Sequence, residues 1–163
     1  MTNSPPTSTA ATLSGPAGRS GASNIEYAIR RANASGQPAL ATFLTAGYPK
    51  PDAFEDALEA VTAESDVVEI GVPFTDPMAD GVTIQESSRV ALAAGVTVSW
   101  ILETLGRKEW PVPLVMMSYL NPLLAFGIER LAQDAREAGI DGLIVPDLPY
   151  EESDTVLEIL DCA

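Results

Sequence analysis

Carboxylate side chains collect in one short stretch of this 163-residue chain, residues 67–81. The β-branched apolar run at its start predicts a buried strand that ends in a loop rich in Pro and Gly. Glu69 lies inside the apolar run, where a carboxylate is costly to desolvate and tends to hold its proton. Asp76 and Asp80 follow on the loop, each beside a Pro or Gly that restricts the backbone. Carboxyl groups in different environments at a strand end predict general acid/base chemistry.

A structural role is the alternative for each of these carboxylates. A Glu in a strand is usually at the surface, or is a core polar group whose hydrogen bonds are satisfied. Asp76 could serve only to brace the loop. The interpretation as a catalytic site therefore depends on what the rest of the chain brings to the same place.

The composition narrows the chemistry that is available. The net charge is −14, with 23 acidic and 9 basic residues, which argues against nucleic acid as a partner. The chain has no histidine, which excludes histidine triads and the usual zinc sites. Proton transfer near neutral pH must then use a carboxyl, a tyrosine, Lys50 or Lys108. The single cysteine, Cys162, cannot form an internal disulfide, so we expect a reducing cytoplasm and a small buried side chain.

Strands and helices alternate along the chain after a tail at residues 1–23 that is rich in Ser, Thr, Pro, Gly and Ala, for which we predict no fold. We predict a first helix from Asn24, capped by Asn24 or Ser23. Asn121 and Pro122 are predicted to break the third strand. Four strands are predicted, at 38–45, around Glu69, at 112–118 and at 140–145, and helices at about 24–35, 54–61, 83–94, 98–105, 128–138 and 151–160.

Strands joined by helical crossovers predict a parallel sheet, either a doubly wound open sheet or a (β/α)8 TIM barrel. Polar and aromatic residues follow all four strands, whereas an open sheet places them only beside its switch point. This favours the barrel, of which residues 24–163 supply roughly the first four β/α units. A barrel needs eight strands, so we expect a partial sequence, with a half-barrel that stands alone or dimerises as the alternative.

Residues 69–85 closely resemble the signature of the tryptophan synthase alpha chain family, which reads Glu-Leu-Gly-(Ile/Val)-Pro-Phe-Ser-Asp-Pro-(Leu/Met)-Ala-Asp-Gly-Pro-x-Ile-Gln. Val82 is a departure, since the family usually has Pro there. The resemblance spans residues 24–163, and its matching stretches follow one another in the same order as in the family. It continues at 43–49, 93–97, 117–122 and 146–149.

The resemblance implies retro-aldol cleavage of indole-3-glycerol phosphate to indole and glyceraldehyde 3-phosphate in tryptophan biosynthesis, without a cofactor or metal of its own. Glu69 matches the family's acid/base, and Asp80 matches the carboxylate that accepts the indole N–H. The other positions that match the substrate site are Phe43, Tyr119, Ile144 and Asp147. Phe43, Tyr119 and Ile144 would surround the indole ring, with the Tyr119 hydroxyl near the glycerol.

Simple structural roles also exist for these substrate-site residues. By spacing alone, Phe43 and Ile144 could be ordinary core residues of the barrel. Asp147 could instead be the N-cap of the last helix.

The resemblance also implies a partner, the beta chain, in an α2β2 complex in which pyridoxal phosphate belongs to the beta chain. The positions that match the contact face are Pro73, Asp76, Asn121 and Pro149. Two alternatives remain: a stand-alone lyase of the same chemistry, and a non-catalytic half-barrel that binds or regulates. The family's phosphate site follows strands seven and eight, so we expect residues 1–163 alone to be inactive and the full-length parent to be an active lyase.

Overall fold

A computed structural model describes residues 21–162 of the chain, without the side chains at 155 and 160–162. Of the tail predicted at residues 1–23, residues 1–20 lie outside the described residues, and so does the side chain of Cys162. The helices are α1 (Gly21–Ala34), α2 (Phe54–Thr62), α3 (Val82–Ala93), α4 (Val98–Leu105), α5 (Leu120–Phe126), α6 (Ile128–Glu137) and α7 (Asp154–Cys162). The strands are β1 (Ala41–Thr45), β2 (Val67–Gly71), β3 (Leu114–Met117) and β4 (Ile140–Ile144).

The four strands form one parallel sheet in the order β1-β2-β3-β4. Each strand pairs with its neighbour in the chain, so the described sheet contains no reversal of strand order of the kind that defines a doubly wound fold. Sequential parallel pairing is the arrangement of a (β/α)8 barrel, and the prediction of four β/α units of such a barrel is confirmed.

One face of the sheet packs under the layer of helices. Alternate strand residues such as Ile70, Leu114 and Met116 are fully buried there, in one cluster with Phe54 and Leu58 of α2. Since successive strand residues point to opposite faces, the residues between them, Glu69 among these, belong to the other face, which is the inner face of a barrel. The helix layer supplies the core, and the inner face is available for chemistry.

The helix α1 covers the amino end of the inner face. Ile25 packs with Ala28, Val67 and Val115 in a second, smaller apolar cluster. The Asn24 side chain donates a hydrogen bond of 2.7 Å to Asp141. The amino end of the inner face is therefore closed, and its carboxyl end remains accessible.

The start of α1 corrects the predicted boundary, because the helix already begins at Gly21, inside the segment assigned to the tail. A Cβ added at Gly21 would lie 2.2 Å from the carbonyl oxygen of Asp141, so the first turn packs directly on β4. Asn24 binds that same aspartate and lies within the helix, so the prediction of Asn24 or Ser23 as its cap is wrong.

Other boundaries also differ from the prediction. The helix α5 was not predicted, since Asn121-Pro122 was interpreted as a break; Pro122 lies in the first turn, where its missing N–H costs nothing. The last helix begins at Asp154, after a short 3-10 turn at Tyr150–Glu152. The N-cap of α4 is Thr97, whose hydroxyl accepts a hydrogen bond from the Trp100 amide.

Within residues 21–162, no single helix is long and apolar enough to cross a membrane, and α3 and α4, which would reach the length together, meet at 88°.

Candidate active site at the carboxyl edge of the sheet

On the inner face, the residues that are paired across neighbouring strands form rows. Phe43, Glu69 and Val115 stand side by side across β1, β2 and β3. The next row toward the carboxyl edge is Thr45, Gly71, Met117 and Ile144. The predicted acid/base residue therefore lies one row below the rim, between an aromatic and an aliphatic neighbour.

The Glu69 side chain is half-buried on this face. The hydrogen bonds and ion pairs of the described residues do not engage its carboxyl group. A carboxyl group that is partly enclosed by apolar neighbours and is not committed to a structural bond is free to exchange a proton with a bound molecule.

The Phe43 ring reaches from its own row up over Gly71. A Cβ at Gly71 would lie 2.3 Å from the ring atom Cζ, so only glycine leaves room for the ring there. Phe43 remains 36% exposed, and Ile144 on the opposite edge of the sheet is 37% exposed. Neither side chain is plain core in the described residues, and both leave apolar surface open at the rim.

The loop after β2 carries Asp80, which is half-buried. The Asp80 amide donates to the Pro77 carbonyl at 3.2 Å, and the Gln85 side chain donates to the Asp80 carbonyl at 2.9 Å. Asp76 on the same loop accepts from the Thr75 hydroxyl at 2.6 Å and is exposed. Its contacts are those of a residue that braces the loop.

Tyr119 ties this loop to the end of β3. Its hydroxyl accepts a hydrogen bond of 2.9 Å from the Ala79 amide, and its ring packs on Phe74 with centroids 5.3 Å apart. Tyr119 is 6% exposed. Burial raises the pKa of the Tyr119 phenol; the bond from Ala79 opposes this, and the charges of Asp80 and Asp147 and a hydrogen bond with Asp80 raise the pKa further. The phenol therefore stays neutral beside the carboxylates.

This arrangement predicts how stability depends on alkaline pH. Because the pKa of Tyr119 is raised above 10.0 in the folded chain, its contribution is fully present below pH 10.0 and is lost as the pH rises through the folded pKa. We expect the free energy of unfolding to fall more steeply above that pH in the unchanged chain than in Tyr119→Phe. Urea titrations at several alkaline pH values measure both slopes, and equal slopes would contradict the assignment.

A small pocket opens between the carboxyl ends of the strands and α3. Of the predicted substrate and catalytic residues, the pocket brings together Phe43, Asp80 and Tyr119. Glu69, Ile144 and Asp147 lie outside its described lining. The remaining lining residues are Thr45, Gly71, Val72, Ile84, Ser88, Met117, Ser118 and Pro146.

The hydroxyl groups in and beside this pocket were missed by sequence reasoning. The buried hydroxyls of Thr45 and Ser87 are 2.7 Å apart and hydrogen-bonded, and Ser87 also donates to the Ile84 carbonyl. This contact fixes α3 against the end of β1. No periodic pattern marks it, since the partners are 42 residues apart.

Asp147 has a different role from the N-cap of the last helix. Its Oδ1 accepts a hydrogen bond of 2.9 Å from the Leu120 amide, at the start of α5, whereas α7 begins at Asp154. The N-cap alternative is therefore wrong, because the acidic side chain caps a helix that is near in space and not the next one in sequence. Asp147 itself is exposed.

Three of the four predicted partner-contact residues are exposed: Asp76, Asn121 and Pro149. Pro73 is buried, because it follows β2 directly, where the Val72 amide is still bonded to the Met117 carbonyl at 2.8 Å. Pro73 therefore shapes the loop and offers no open surface of its own.

The described residues contain no group of His, Cys, Asp or Glu side chains that could hold a metal ion. The chemistry that they support is that of two half-buried carboxyl groups, a neutral phenol and an apolar aromatic surface at one sheet edge.

Comparison with known proteins identifies the family of the chain. Residues 29–162 match the model of the tryptophan synthase alpha chain. The chain belongs to the tryptophan synthase alpha chain family. It is 48% identical over 134 residues to the tryptophan synthase alpha chain of Nitratidesulfovibrio vulgaris strain DP4, which covers 80% of this chain and 52% of that protein. It is 51% identical over 132 residues to the tryptophan synthase alpha chain of Desulfovibrio desulfuricans. The matched region covers 79% of this chain and 52% of that protein.

Solved structures show the same fold. The tryptophan synthase subunit alpha of Legionella pneumophila superposes with a TM-score of 0.79 at 34% identity, covering 85% of this chain and 55% of that one. A chain of tryptophan synthase from M. tuberculosis superposes with a TM-score of 0.78 at 32% identity. The superposition covers 85% of this chain and 56% of that one. The chain thus spans about half the length of the curated relatives that it matches.

Proposed function

We propose that this chain supplies the acid/base half of the active site that cleaves indole-3-glycerol phosphate to indole and glyceraldehyde 3-phosphate. The observation that carries the proposal is the uncommitted, half-buried carboxyl of Glu69 in register beside Phe43 on the inner face. Membership of the tryptophan synthase alpha chain family supports the same reaction.

In the proposed reaction, the carbon–carbon bond between indole C3 and the glycerol chain breaks. A proton is added at indole C3, and the hydroxyl on the neighbouring glycerol carbon loses its proton and becomes the aldehyde. Glu69 is the proposed acid/base for these transfers. Asp80 is the proposed acceptor of the indole N–H, where its negative charge offsets positive charge that develops at nitrogen.

The substrate-binding roles follow from the apolar surface at the rim. Phe43 and Ile144 are the proposed contacts for the two sides of the indole ring, since both leave over a third of their surface open there. Tyr119 closes the pocket from the loop side. Asp147 acts from outside the described pocket. The chain carries no cofactor of its own in this proposal.

We further propose that the rim docks a beta chain that carries pyridoxal phosphate, in an α2β2 complex located in the cytoplasm. Large apolar side chains are exposed beside the predicted contact residues: Met78 at 89%, Val82 at 82%, Leu124 at 53% and Tyr150 at 82%. They lie on three rim segments, which are the β2–α3 connection with the first residue of α3, α5, and the segment after β4. Such apolar exposure on neighbouring loops is typical of a protein–protein contact.

The test measures indole release from indole-3-glycerol phosphate by the full product of the gene, with and without added beta chain. We expect activity that the beta chain stimulates. Met78→Asp should reduce the stimulation and spare the basal rate, because a charge is placed in the apolar contact. Ile29→Asp on α1, which replaces another exposed apolar residue, is the matched control and should leave the stimulation unchanged.

Activity without stimulation would indicate a stand-alone lyase. No activity with a folded full product would contradict the proposed reaction.

A further inference from the structure

Asp147 forms a link between three loops of the rim. Its carboxylate, after β4, caps the first amide of α5 at a distance of 2.9 Å and a sequence separation of 27 residues. The local N-cap residue of α5 is Tyr119, whose side chain makes no capping bond to the helix. A helix leaves its first amides without internal partners, so Asp147 satisfies one that Tyr119 does not.

The Tyr119 side chain makes its contacts away from the helix start. Its backbone is extended, with φ −66° and ψ 157°, and its side chain leaves the helix start for the loop after β2. There the hydroxyl accepts a hydrogen bond of 2.9 Å from the amide of Ala79, the residue before Asp80. A fixed start of α5 thus fixes the point from which Tyr119 holds the loop.

The other hydrogen bonds of the loop join near neighbours, and one of these, from the Gln85 side chain to the Asp80 carbonyl at 2.9 Å, joins the loop to α3. The Met78 amide donates to the Asp76 carbonyl, and the Asp80 amide donates to the Pro77 carbonyl. Bonds of this range shape a turn but do not place it against the sheet. The contact with Tyr119 crosses 40 residues of sequence.

We propose that Asp147 is a positioning residue for Asp80 that acts through the start of α5 and the Tyr119 hydroxyl. The inference rests on the proposed function for the role of Asp80 toward indole. The order of contacts is Asp147 to the Leu120 amide, Tyr119 to the Ala79 amide, and Asp80 beside Ala79.

Amide hydrogen exchange on the full gene product tests the link without any need for turnover. Asp147→Ala should speed exchange at both Leu120 and Ala79 by about five- to tenfold, the effect of losing one cap. Asp147→Asn keeps an acceptor oxygen and should restore protection at both amides. Tyr119→Phe should expose Ala79 and leave Leu120 protected.

The control is Asp66→Ala. Asp66 accepts a hydrogen bond of 3.0 Å from the Leu40 amide, 26 residues away at the opposite edge of the sheet, so it matches Asp147 in the kind of bond. It should speed exchange at Leu40 and leave Ala79 unchanged. The inference is overturned if Ala79 stays protected in Asp147→Ala while Leu120 does not, or if the asparagine fails to rescue Ala79.

Measurement of indole release distinguishes a failure of this inference from a failure of the proposed function. In the full gene product, Asp147→Ala should lower the kcat for indole release about tenfold, with recovery in Asp147→Asn, since Asp80 is displaced from its working position. If the unchanged full product releases no indole, the proposed function fails, while the exchange results still decide whether Asp147 positions the loop.

Discussion

Replacing Phe54 with alanine should lower the free energy of unfolding of the chain by about 3–5 kcal/mol. The Phe54 side chain is fully buried at the start of α2 and packs on Trp100, with ring centroids 5.7 Å apart and planes at 53°. Its loss would leave a cavity between the helix layer and the sheet that neighbours such as Leu58 and Ile70 cannot fill. Urea unfolding followed by circular dichroism measures the change.

The matched control is Tyr150→Ala. Tyr150 is also aromatic but is 82% exposed, so its removal should change the free energy of unfolding by less than about 0.5 kcal/mol. A loss below about 1 kcal/mol for Phe54→Ala would mean that the helix layer collapses around the gap. It would contradict a close-packed core at this position.

The strands could be predicted from the sequence because their information is local. Buried residues of β2 such as Val68 and Ile70 form a short apolar run closed by turn residues, and a parallel sheet under helices requires that pattern. The helix α4 is similar, since Ile101 and Leu105 repeat at helical spacing and both are fully buried. Elements whose hydrophobic pattern lies within a few neighbouring residues can therefore be predicted from the sequence.

The elements that were mispredicted are set by contacts from distant parts of the chain. The start of α1 depends on Gly21 lying against Asp141, and local composition at residues 1–23 carries no sign of that contact. The helix α5 depends on a cap from Asp147, 27 residues away. A helix of seven residues is marginal by propensity alone, so its partner decides whether it forms.

The site shows the same division. The residue types at the strand ends were predictable, because parallel strands place their carboxyl ends at one edge, and Phe43 and Glu69 do stand in register there. The bond from the Ala79 amide to the Tyr119 hydroxyl was not predictable, since its partners belong to different loops. Spacing identifies candidates for chemistry, and the long-range contacts decide how each is held.

Glu69→Gln should lower the kcat for indole release by the full gene product by about 10²–10⁴-fold, with a small change in KM. Glutamine keeps nearly the same volume on the inner face between Phe43 and Val115, so binding of the indole ring should persist. It cannot exchange a proton, which is the task that the proposed reaction gives to this position. Steady-state kinetics measure both parameters.

The control for this variant is Glu64→Gln, which makes the same chemical change at an exposed site just before the amino end of β2. It should retain the full rate, because Glu64 precedes the strand whose other end forms the rim. Thermal unfolding of both variants checks that the fold is intact. A Glu69→Gln enzyme that keeps a tenth or more of the unchanged kcat would remove Glu69 from the acid/base role. Proton transfer would then fall to Asp80 or to Tyr119, the titratable groups in the described lining of the pocket.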